Sequence, residues 1–466
     1  MTGANMKRFR KMTALCLALI LLMTCLSACS GSDADSREGR KEGDKKATST
    51  PTQKPDDKKP DNSKKDDDQT PSATPTPEKK RIVMWCNATT SDYERHAYVR
   101  AAAEMEKLYP NVDFRWEALE LGAYQLKVKT AVAGNALPDF FYVDTSSLKE
   151  LVLNDKVYCL DSAYSKCASD LPEVMCRNFT YDGHLYGIPT TFDCAVMFAN
   201  LDMLKQVGYT EIPVSYDEFL VCCNRLKEAG YTPIACSGRE AWCVSLYLES
   251  MMLKYVGPET LDRVFKGEET WNNKDFVFVA AELQDIMLGK LYAGPNMSEI
   301  SDYEVRCGFI DGEYAFYLNG TWDCAELMKK AGFEIAVGEF PILSYSRASK
   351  GMMIGGPDKA LAVSKNTADV EFTAEFAMKF AHLVSQYSYQ EGARLPAWRI
   401  NYDESMLNPL FRQAASMAQQ ANAMVIFGDC CMNEEEMHWY HEAIKHLITG
   451  SDNGSGFITE LSTNIR

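Results

Sequence analysis

The sequence predicts an α/β fold of two lobes for residues 81–466, which follow a leader and a polar linker. From Arg81 to Asp144, strand and helix patterns alternate in the order βαβαβ, which is typical of a parallel sheet. The 386 residues from Arg81 onward are too many for one ordinary hydrophobic core, and chains of this size divide into domains. We therefore expect two α/β lobes.

The chain begins with a secretory leader. Four basic residues between Lys7 and Lys11 precede an apolar run from about Met12 to Leu26, which is too short to span a bilayer as a folded helix. The run ends in Leu-Ser-Ala-Cys, which closely resembles the bacterial lipobox, where the leader is cut before a cysteine that receives diacylglycerol. We expect residues 1–28 to be a lipoprotein signal peptide and Cys29 to be the lipidated, palmitate-bearing residue. The alternative is an ordinary cleavable signal that happens to contain a cysteine.

A polar, disordered linker is expected at residues 29–80. It consists mainly of Ser, Thr, Pro, Asp and Lys, so it cannot bury enough apolar surface to offset the entropy of ordering. The leader carries four positive charges, and the linker has equal numbers of acidic and basic residues. Since the whole chain has a net charge of −16, residues 81–466 carry −20. This acidic charge argues against a nucleic-acid partner and against docking onto anionic lipid.

Cysteine is unusually frequent, and the mature chain would keep fourteen of the sixteen residues. Apart from Cys29, no CxxC pair or finger-like spacing occurs, only the neighbours Cys222-Cys223 and Cys430-Cys431. We expect most of these cysteines to be small core hydrophobes. Exported proteins of oxidising habitats rarely carry so many unpaired thiols, which indicates an anaerobic source and few or no disulfides.

The first lobe opens with a buried strand at Arg81–Trp85, followed by an amphipathic helix. Strict alternation of apolar and charged residues predicts a second strand at Val112–Ala118. A second helix ends at Gly134-Asn135, and Asp139–Asp144 reads as the third strand.

Ligands of open parallel sheets bind beyond the carboxyl ends of the strands. This rule selects Trp85 and Asn87 after the first strand and Asp144 after the third. Asp144 would accept hydrogen bonds from a ligand. The alternative is a helix cap before Ser146 and Ser147.

Three segments, taken in order, resemble the family of extracellular solute-binding proteins of bacterial sugar ABC importers. They are Leu137-Pro138-Asp139 before an apolar strand, the Asp-Gly-His-Leu-Tyr-Gly-Ile-Pro run at 182–189, and residues 200–219 with Asn-Leu-Asp at their start. This family shares the architecture of maltose-binding protein. The resemblance implies a type II periplasmic-binding-protein-like fold, in which two α/β lobes are joined by a three-stranded hinge with a ligand cleft between them. It places residues 81–189 and about 356–393 in the N-terminal lobe, and residues 190–355 and about 394–466 in the C-terminal lobe.

Local signals agree with these segments. Asp182-Gly183 predicts a hairpin, and Ser215 with Glu218 predicts a capping box at the start of a helix. Further helices are expected near Ala241–Tyr255 and Lys274–Leu288.

Two tryptophans of the second lobe are candidate ligand contacts. Trp242 opens a helix and could stack on a ligand or pack in the core. Residues 309–322 resemble the family's stretch that ends in Gly-x-Trp, whose indole lies in the cleft. Gly320 would permit the tight backbone, and Trp322 would offer a flat apolar face to a sugar ring, against the alternative of core packing.

Two later segments resemble the family's returns between lobes. One is Gly355-Gly356 with the helix Val370–Ser385 after it, and the other is Arg394 to Arg399. Three crossings would make a hinge about which the lobes rotate. This interpretation places Trp398 and Arg399 near the cleft, where arginine could bond hydroxyls or stack.

The resemblance implies a lipid-anchored substrate-binding subunit on the extracytoplasmic face of the cell membrane. It would capture a carbohydrate, with an oligosaccharide expected first, and deliver it to ABC transporter permease subunits. We expect a monomer with no cofactor, no metal and no catalytic residues. The motifs of hydrolases and nucleotide-binding enzymes are absent, and the His438–His441 pair with its neighbouring glutamates reads as a solvated helix face.

One enzyme class stays open. A membrane-tethered carbohydrate-active enzyme, a hydrolase or lyase, needs two carboxylates roughly 5–10 Å apart, and such a separation is invisible in a sequence.

Overall fold

The computed structural model describes residues 79–87 and 93–465, which belong to one compact unit. The predicted signal peptide, Cys29 and the linker up to residue 78 lie outside the described residues. Within the described ranges, none of the helices is long and apolar enough to cross a bilayer.

The strands, in chain order, are β1 Lys80–Cys86, β2 Val112–Ala118, β3 Phe140–Asp144, β4 Thr180–Tyr181, β5 His184–Leu185, β6 Gly187–Pro189, β7 Thr191–Asn200, β8 Thr232–Ala235, β9 Tyr314–Gly320, β10 Ile335–Gly338, β11 Met352–Gly356, β12 Lys359–Val363, β13 Leu395–Pro396 and β14 Ala423–Val425.

The α-helices are α1 Tyr93–Leu108, α2 Leu121–Gly134, α3 Thr145–Leu153, α4 Asp161–Ser165, α5 Glu173–Cys176, α6 Leu201–Gln206, α7 Tyr216–Glu228, α8 Ala241–Val256, α9 Pro258–Phe265, α10 Lys274–Gln284, α11 Asp302–Ile310, α12 Cys324–Lys330, α13 Val370–Gln390, α14 Pro409–Gln419, α15 Glu434–Thr449 and α16 Gly454–Asn464. Short 3-10 turns at Arg177–Phe179, Met297–Glu299, Thr321–Asp323, Glu404–Met406 and Gly428–Cys431 and a π turn at Asp285–Gly289 complete the chain.

The first lobe is built on a five-stranded sheet with the order β2-β1-β3-β12-β6. The predicted βαβαβ unit is confirmed, since β1 pairs in parallel with both β2 and β3. β12 returns late in the chain and pairs antiparallel with β3 and β6. Helices α1 and α13 pack against each other on this lobe, and Phe114 and Phe140 of the sheet contact Phe376 and Phe380 of α13.

The second lobe is built on a seven-stranded sheet around β7, with the main order β14-β11-β7-β9-β8. All ten residues of β7 are buried, because helices cover both of its faces. Ala195, Met197 and Ala199 face a core that includes α8 and α10, whereas Val196 and Phe198 face a core that includes α14. Two α/β lobes are therefore present, as the composition and the strand patterns predicted.

Three chain crossings join the lobes. The first runs from β6 through Thr190 into β7, and the second runs from β11 through Pro357 and Asp358 into β12. The third runs from α13 into β13, which pairs with Thr191 and Phe192 of β7.

The third crossing does not separate the lobes as cleanly as the sequence suggested. Ala397 and Trp398 return to the core of the first lobe, although residues from about 394 were predicted to belong to the second. At the far end of α13, Tyr389 packs on Phe411 in the core of the second lobe. Tyr389, before the crossing, thus packs in the second lobe, and Ala397 and Trp398, after it, pack in the first.

Local predictions mostly hold. Asp182 and Gly183 have φ values of 51° and 81°, which fits the predicted hairpin between β4 and β5. The Ser215 side chain accepts a hydrogen bond from Glu218 N and caps α7, which is the N-cap half of the predicted capping box. The predicted α10 is shorter than expected, because its last turn becomes the π turn at Asp285–Gly289.

Candidate functional site

Trp322 lies in a group of aromatic rings at the end of β9. Its ring centroid is 6.1 Å from that of Trp242, edge to face, and 6.2 Å from that of Phe427. Trp322 and Trp242 are half-buried, whereas Phe427 is buried. The two partly exposed indoles present apolar surface of the kind that stacks on the C–H face of a sugar.

Gly320 makes room for the Trp322 ring. A Cβ on Gly320 would lie 2.2 Å from carbon atoms of that indole. The φ of Gly320 is −83°, a value open to any residue, so its conformational freedom is not the reason for glycine here, contrary to the sequence-based explanation. Glycine allows the indole to lie flat against the backbone.

A buried ion pair joins two of the crossings next to Trp322. Asp193 of β7 is 3% exposed and pairs with Arg394, which precedes β13. The Thr321 hydroxyl donates to Asp193 Oδ1 at 2.7 Å, and the Arg394 guanidinium carbon lies 6.0 Å from the centre of the Trp322 ring. Burial raises the pKa of Asp193, and the Arg394 charge opposes that rise. The network therefore connects Thr321, the residue before Trp322, with two of the crossings.

Asp144 caps helix α3. Its Oδ1 accepts hydrogen bonds from Ser147 N at 2.7 Å and from the Ser146 hydroxyl at 2.8 Å. The cap that the sequence offered as the alternative is therefore present. A ligand could still reach the second carboxylate oxygen, since the residue is only half-buried.

The two lobes touch directly after Asp144. The Thr145 hydroxyl donates to the carbonyl oxygen of Cys430, which lies in the 3-10 turn Gly428–Cys431 of the second lobe. The Tyr181 hydroxyl in turn donates to the carbonyl of Thr145 at 3.0 Å. This contact brings the first turn of α3 against the turn that follows Phe427.

The buried carboxyl of Glu249 supports the 3-10 turn Gly428–Cys431. Glu249 of α8 is 1% exposed and accepts a hydrogen bond from Gly428 N at 3.1 Å and one from the Tyr440 hydroxyl at 2.9 Å. Burial, with the nearby charge of Asp429, raises the pKa of Glu249 to about 8. Burial therefore favours the protonated form of this carboxyl.

The two other residues predicted in the first lobe lie at the end of β1. Trp85 is half-buried, and Lys127 of α2 lies 4.0 Å above its ring. Asn87 is half-buried and is the last described residue before the gap at 88–92. The contacts described for Trp85 lie within its own lobe.

Trp398 is packed rather than open. It is 3% exposed, its indole N–H donates to Pro189 O at 2.8 Å, and its ring stacks on His382 at 5.2 Å. Arg399 is exposed, and its guanidinium donates to Ser169 O at 2.8 Å. A covered ring with a satisfied N–H cannot stack on a solute without rearrangement.

Trp398 and Arg399 also line a cavity of about 1030 Å³ beside the crossings. Phe192 lines this cavity, whereas its neighbour Asp193 turns toward Trp322. Successive residues of an extended strand point to opposite faces, so the cavity and the aromatic group lie on opposite sides of β7. The structure thus brings Trp322, Trp242 and Gly320 together but separates them from Trp398 and Arg399.

Sequence reasoning missed three residues of this site. Asp193 and Arg394 are in contact because β7 and β13 are neighbouring strands, and no local sequence pattern predicts that pairing. Phe427 follows the apolar run Met424–Ile426 and precedes Gly428-Asp429, which is a visible but unspecific turn signal.

The histidines of α15 do not form a metal-binding group among the described residues. His438 is exposed, and His441 faces Asp429 with its Nε2 3.7 Å from a carboxylate oxygen. None of the thirteen cysteines of the described ranges forms a disulfide.

Two α/β lobes, three crossings and a solvent-reachable aromatic group beside them define a two-lobed binding protein. The profile described as bacterial extracellular solute-binding protein matches residues 90–391, and the chain belongs to that family. The fold is accordingly the type II periplasmic-binding-protein-like fold that the sequence predicted.

Individual relatives are distant. The chain is 22% identical to an uncharacterized ABC transporter extracellular-binding protein of Pyrococcus horikoshii, over 54% of this chain and 59% of that protein. It is 20% identical to the multiple sugar-binding protein of Streptococcus mutans, over 62% and 69%. The chain thus spans about three fifths of the Pyrococcus relative's length.

Solved structures agree on the fold. A structure from work on xylan utilization by Caldanaerobius polysaccharolyticus superposes with a TM-score of 0.74 at 23% identity. The superposition covers 83% of this chain and 100% of that one.

Proposed function

We propose that the protein is the lipid-anchored substrate-binding subunit of a sugar ABC importer. It takes up a carbohydrate, in the first instance an oligosaccharide, between its lobes and delivers the sugar unchanged to membrane permease subunits. The observation that carries this proposal is the half-buried pair Trp322 and Trp242 beside the hinge of a chain that belongs to the solute-binding family.

Relatives support the choice of ligand class. One relative is a multiple sugar-binding protein, and one structural neighbour comes from work on xylan utilization. Indoles bind sugars through their apolar C–H faces, and hydroxyls are met by polar groups nearby. Trp322 supplies the ring face, and Asp144 and Arg394 are the charged groups we assign to the sugar hydroxyls.

The proposed contacts span both lobes. Trp322, Trp242 and Gly320 belong to the second lobe, whereas Asp144 ends β3 of the first lobe and Trp85 and Asn87 lie on either side of the last residue of β1. A ligand held from both sides gains contacts on closure that the open form lacks, and this difference biases the lobes toward the closed state. Trp398 and Arg399 are left out of the contact set, because the ring of Trp398 is covered and both lie on the other side of β7.

A sugar panel tests the proposal. The purified protein is screened by thermal unfolding with mono- and oligosaccharides, because a ligand that binds only the folded state must raise its stability. Trp322→Ala is expected to weaken binding of any hit by at least about 10-fold in calorimetry, since it removes the stacking face. The matched control is Trp116→Ala, a half-buried tryptophan on edge strand β2 with Arg95 against its ring.

The same incubations separate binding from catalysis. A binding protein returns an oligosaccharide unchanged, whereas a hydrolase or lyase yields new chain ends that chromatography detects. Equal binding by wild type and Trp322→Ala would contradict the assigned site, and new ends would contradict the assigned function.

A further inference from the structure

Three side chains with metal-binding atoms meet in the first lobe, away from the proposed sugar site. Cys159, Asp161 and His184 each offer one donor atom, and these atoms all lie within 4.8 Å of one another. His184 Nδ1 is 2.7 Å from Asp161 Oδ2. His184 lies 23 positions from Asp161 in the chain, which is why no spacing motif reveals the group.

The backbone holds these three residues in fixed positions. Tyr158 N donates to Val363 O at 2.8 Å, which ties the loop before Cys159 to β12. Leu160 N donates to Leu185 O at 2.7 Å, and Asp161 Oδ1 accepts from Leu185 N at 2.8 Å. The loop, the start of α4 and the β4–β5 hairpin are therefore already joined around the group.

Distance separates this group from the sugar site. β12 runs antiparallel to β3, so that Lys359 lies beside Asp144 and Val363 beside Phe140. The group adjoins the Val363 end, and the four residue steps between Lys359 and Val363 span about 13 Å along the strand. A ligand bound at Cys159, Asp161 and His184 therefore need not affect the proposed sugar site.

We propose that Cys159, Asp161 and His184 form a binding site for a thiophilic divalent cation, Zn²⁺ in the first instance. Thiolate, imidazole and carboxylate are the donors that Zn²⁺ takes in proteins, at roughly 2.0–2.3 Å. In a tetrahedral site, such donors lie roughly 3.3–3.6 Å apart, so the present positions need only a small adjustment. Three protein donors leave the fourth position to water.

Binding replaces one existing contact. The cation takes Asp161 Oδ2 and His184 Nδ1, whose mutual hydrogen bond opens, while Asp161 Oδ1 keeps its bond from Leu185 N. The Cys159 thiol loses its proton to solvent when the sulfur coordinates.

The same geometry argues against a nucleophilic cysteine. Burial raises the pKa of the Cys159 thiol, whereas a reactive cysteine needs a lowered one. Asp161 also bonds to both Cys159 and His184, so the carboxylate, rather than the imidazole, is the neighbour of the sulfur. The group fits a cation better than a covalent reaction.

Cobalt titration tests the site, since Co²⁺ reports thiolate and tetrahedral ligation by its absorption. The full chain, freed of metal with a chelator and then dialysed, is expected to bind one equivalent of Co²⁺ with a thiolate charge-transfer band, and Zn²⁺ should displace it. Cys159→Ser should abolish the band, and Cys159→Ser and Asp161→Asn should each weaken Zn²⁺ binding at least about 10-fold. Cys307→Ser, a half-buried thiol of the second lobe, is the matched control and should change nothing.

A second measurement does not depend on variants. Zn²⁺ should protect Cys159 from alkylation, as read by peptide mass spectrometry, and leave alkylation of Cys307 unchanged. Trp322→Ala should bind Co²⁺ like wild type, so failure of the sugar site and failure of the cation site are distinguishable. Absence of stoichiometric Co²⁺ binding, or Cys159 alkylation at an equal rate with and without Zn²⁺, overturns the proposal.

Discussion

Glu249 shows how one buried carboxyl can couple stability to pH. Its pKa of about 8 in the folded protein is above the usual value of about 4.5, because burial and Asp429 disfavour the charge. Between those two pH values the folded chain keeps a proton that the unfolded chain releases. The stabilisation that Glu249 contributes is therefore complete below about pH 4.5. It decreases as pH rises to about 8 and does not change further above that pH.

Glu249→Gln should remove this dependence. The amide can still accept from Gly428 N and donate to the Tyr440 hydroxyl, so the variant should match wild type near pH 5. Near pH 8 the variant should be more stable, by on the order of 2–4 kcal/mol. Urea unfolding at both pH values measures the difference.

The control for that experiment is Glu442→Gln. Glu442 pairs with Lys445, which lowers the pKa of the carboxyl, so its removal cannot stabilise the alkaline protein. A Glu249→Gln variant that loses stability at pH 8 would contradict the assigned protonation.

At the scale of elements, Gly355 sets the geometry of the second crossing. Its φ is +151°, and a Cβ there would lie 2.4 Å from Asp193 O and 2.7 Å from the Cα of Cys194, both on the neighbouring strand β7. Gly356 also has a positive φ, +136°, but a Cβ there would meet only the Asn178 amide at 3.9 Å. The two glycines therefore differ in the space around them, although both adopt a φ that is unfavourable for residues with a Cβ.

Gly355→Ala should destabilise the protein more than Gly356→Ala. Both variants pay for the unfavourable φ, about 1–3 kcal/mol, and only the first must also push β11 away from β7. Chemical unfolding of the two variants gives the comparison. Equal losses would show that the close approach of the strands is not the constraint.

Elements with a strong internal period were predictable. The alternation of apolar and charged residues placed β2 at its observed bounds, and the Asp182-Gly183 turn placed the β4–β5 hairpin, because both depend on neighbouring residues only. The third crossing was less predictable. The family resemblance placed Trp398 near the cleft, whereas the packing of α13 on the first lobe covers its ring.

Residues of the candidate site that are close together in the sequence were predicted together, whereas residues far apart in the sequence were not. Gly320 and Trp322 are two positions apart and were found together. Asp193 with Arg394, and Cys159 with His184, join positions far apart in the chain, so their meeting depends on the folded sheets.

At the scale of the whole molecule, the Asp193–Arg394 pair connects the first and third crossings. Arg394→Met leaves the buried carboxylate of Asp193 without the guanidinium that offsets its burial, and breaking a buried pair in this way typically costs about 3–5 kcal/mol. Arg394→Met alone should therefore destabilise the protein strongly. The double variant Asp193→Asn with Arg394→Met should recover part of the loss, because the buried carboxylate is gone.

The double variant carries a second readout. If the pair also fixes Trp322 relative to the hinge, sugar affinity should fall even after stability recovers. Denaturant curves and calorimetry on the single and double variants measure both. No recovery in the double variant would contradict an electrostatic origin of the loss.

The proposed lipid anchor is a feature of the whole chain, and it depends on Cys29. Cys29→Ser should move the protein from the membrane fraction to the soluble fraction and abolish incorporation of labelled palmitate, because the acylated sulfur is absent. Sugar binding by the released protein should match that of the anchored form. Membrane retention of the variant would point to an anchor other than the lipid.

The absence of disulfides among the described cysteines has a practical consequence. Burial raises the pKa of most of the described thiols, for example to about 12 for Cys176 and Cys222, so they expose little thiolate to reagents at neutral pH. A cysteine introduced at an exposed position, such as Ser146 in the first turn of α3, should react with a maleimide fluorophore far faster than these native thiols. Opening and closing of the lobes could then be followed by fluorescence in a chain that keeps all of its own cysteines.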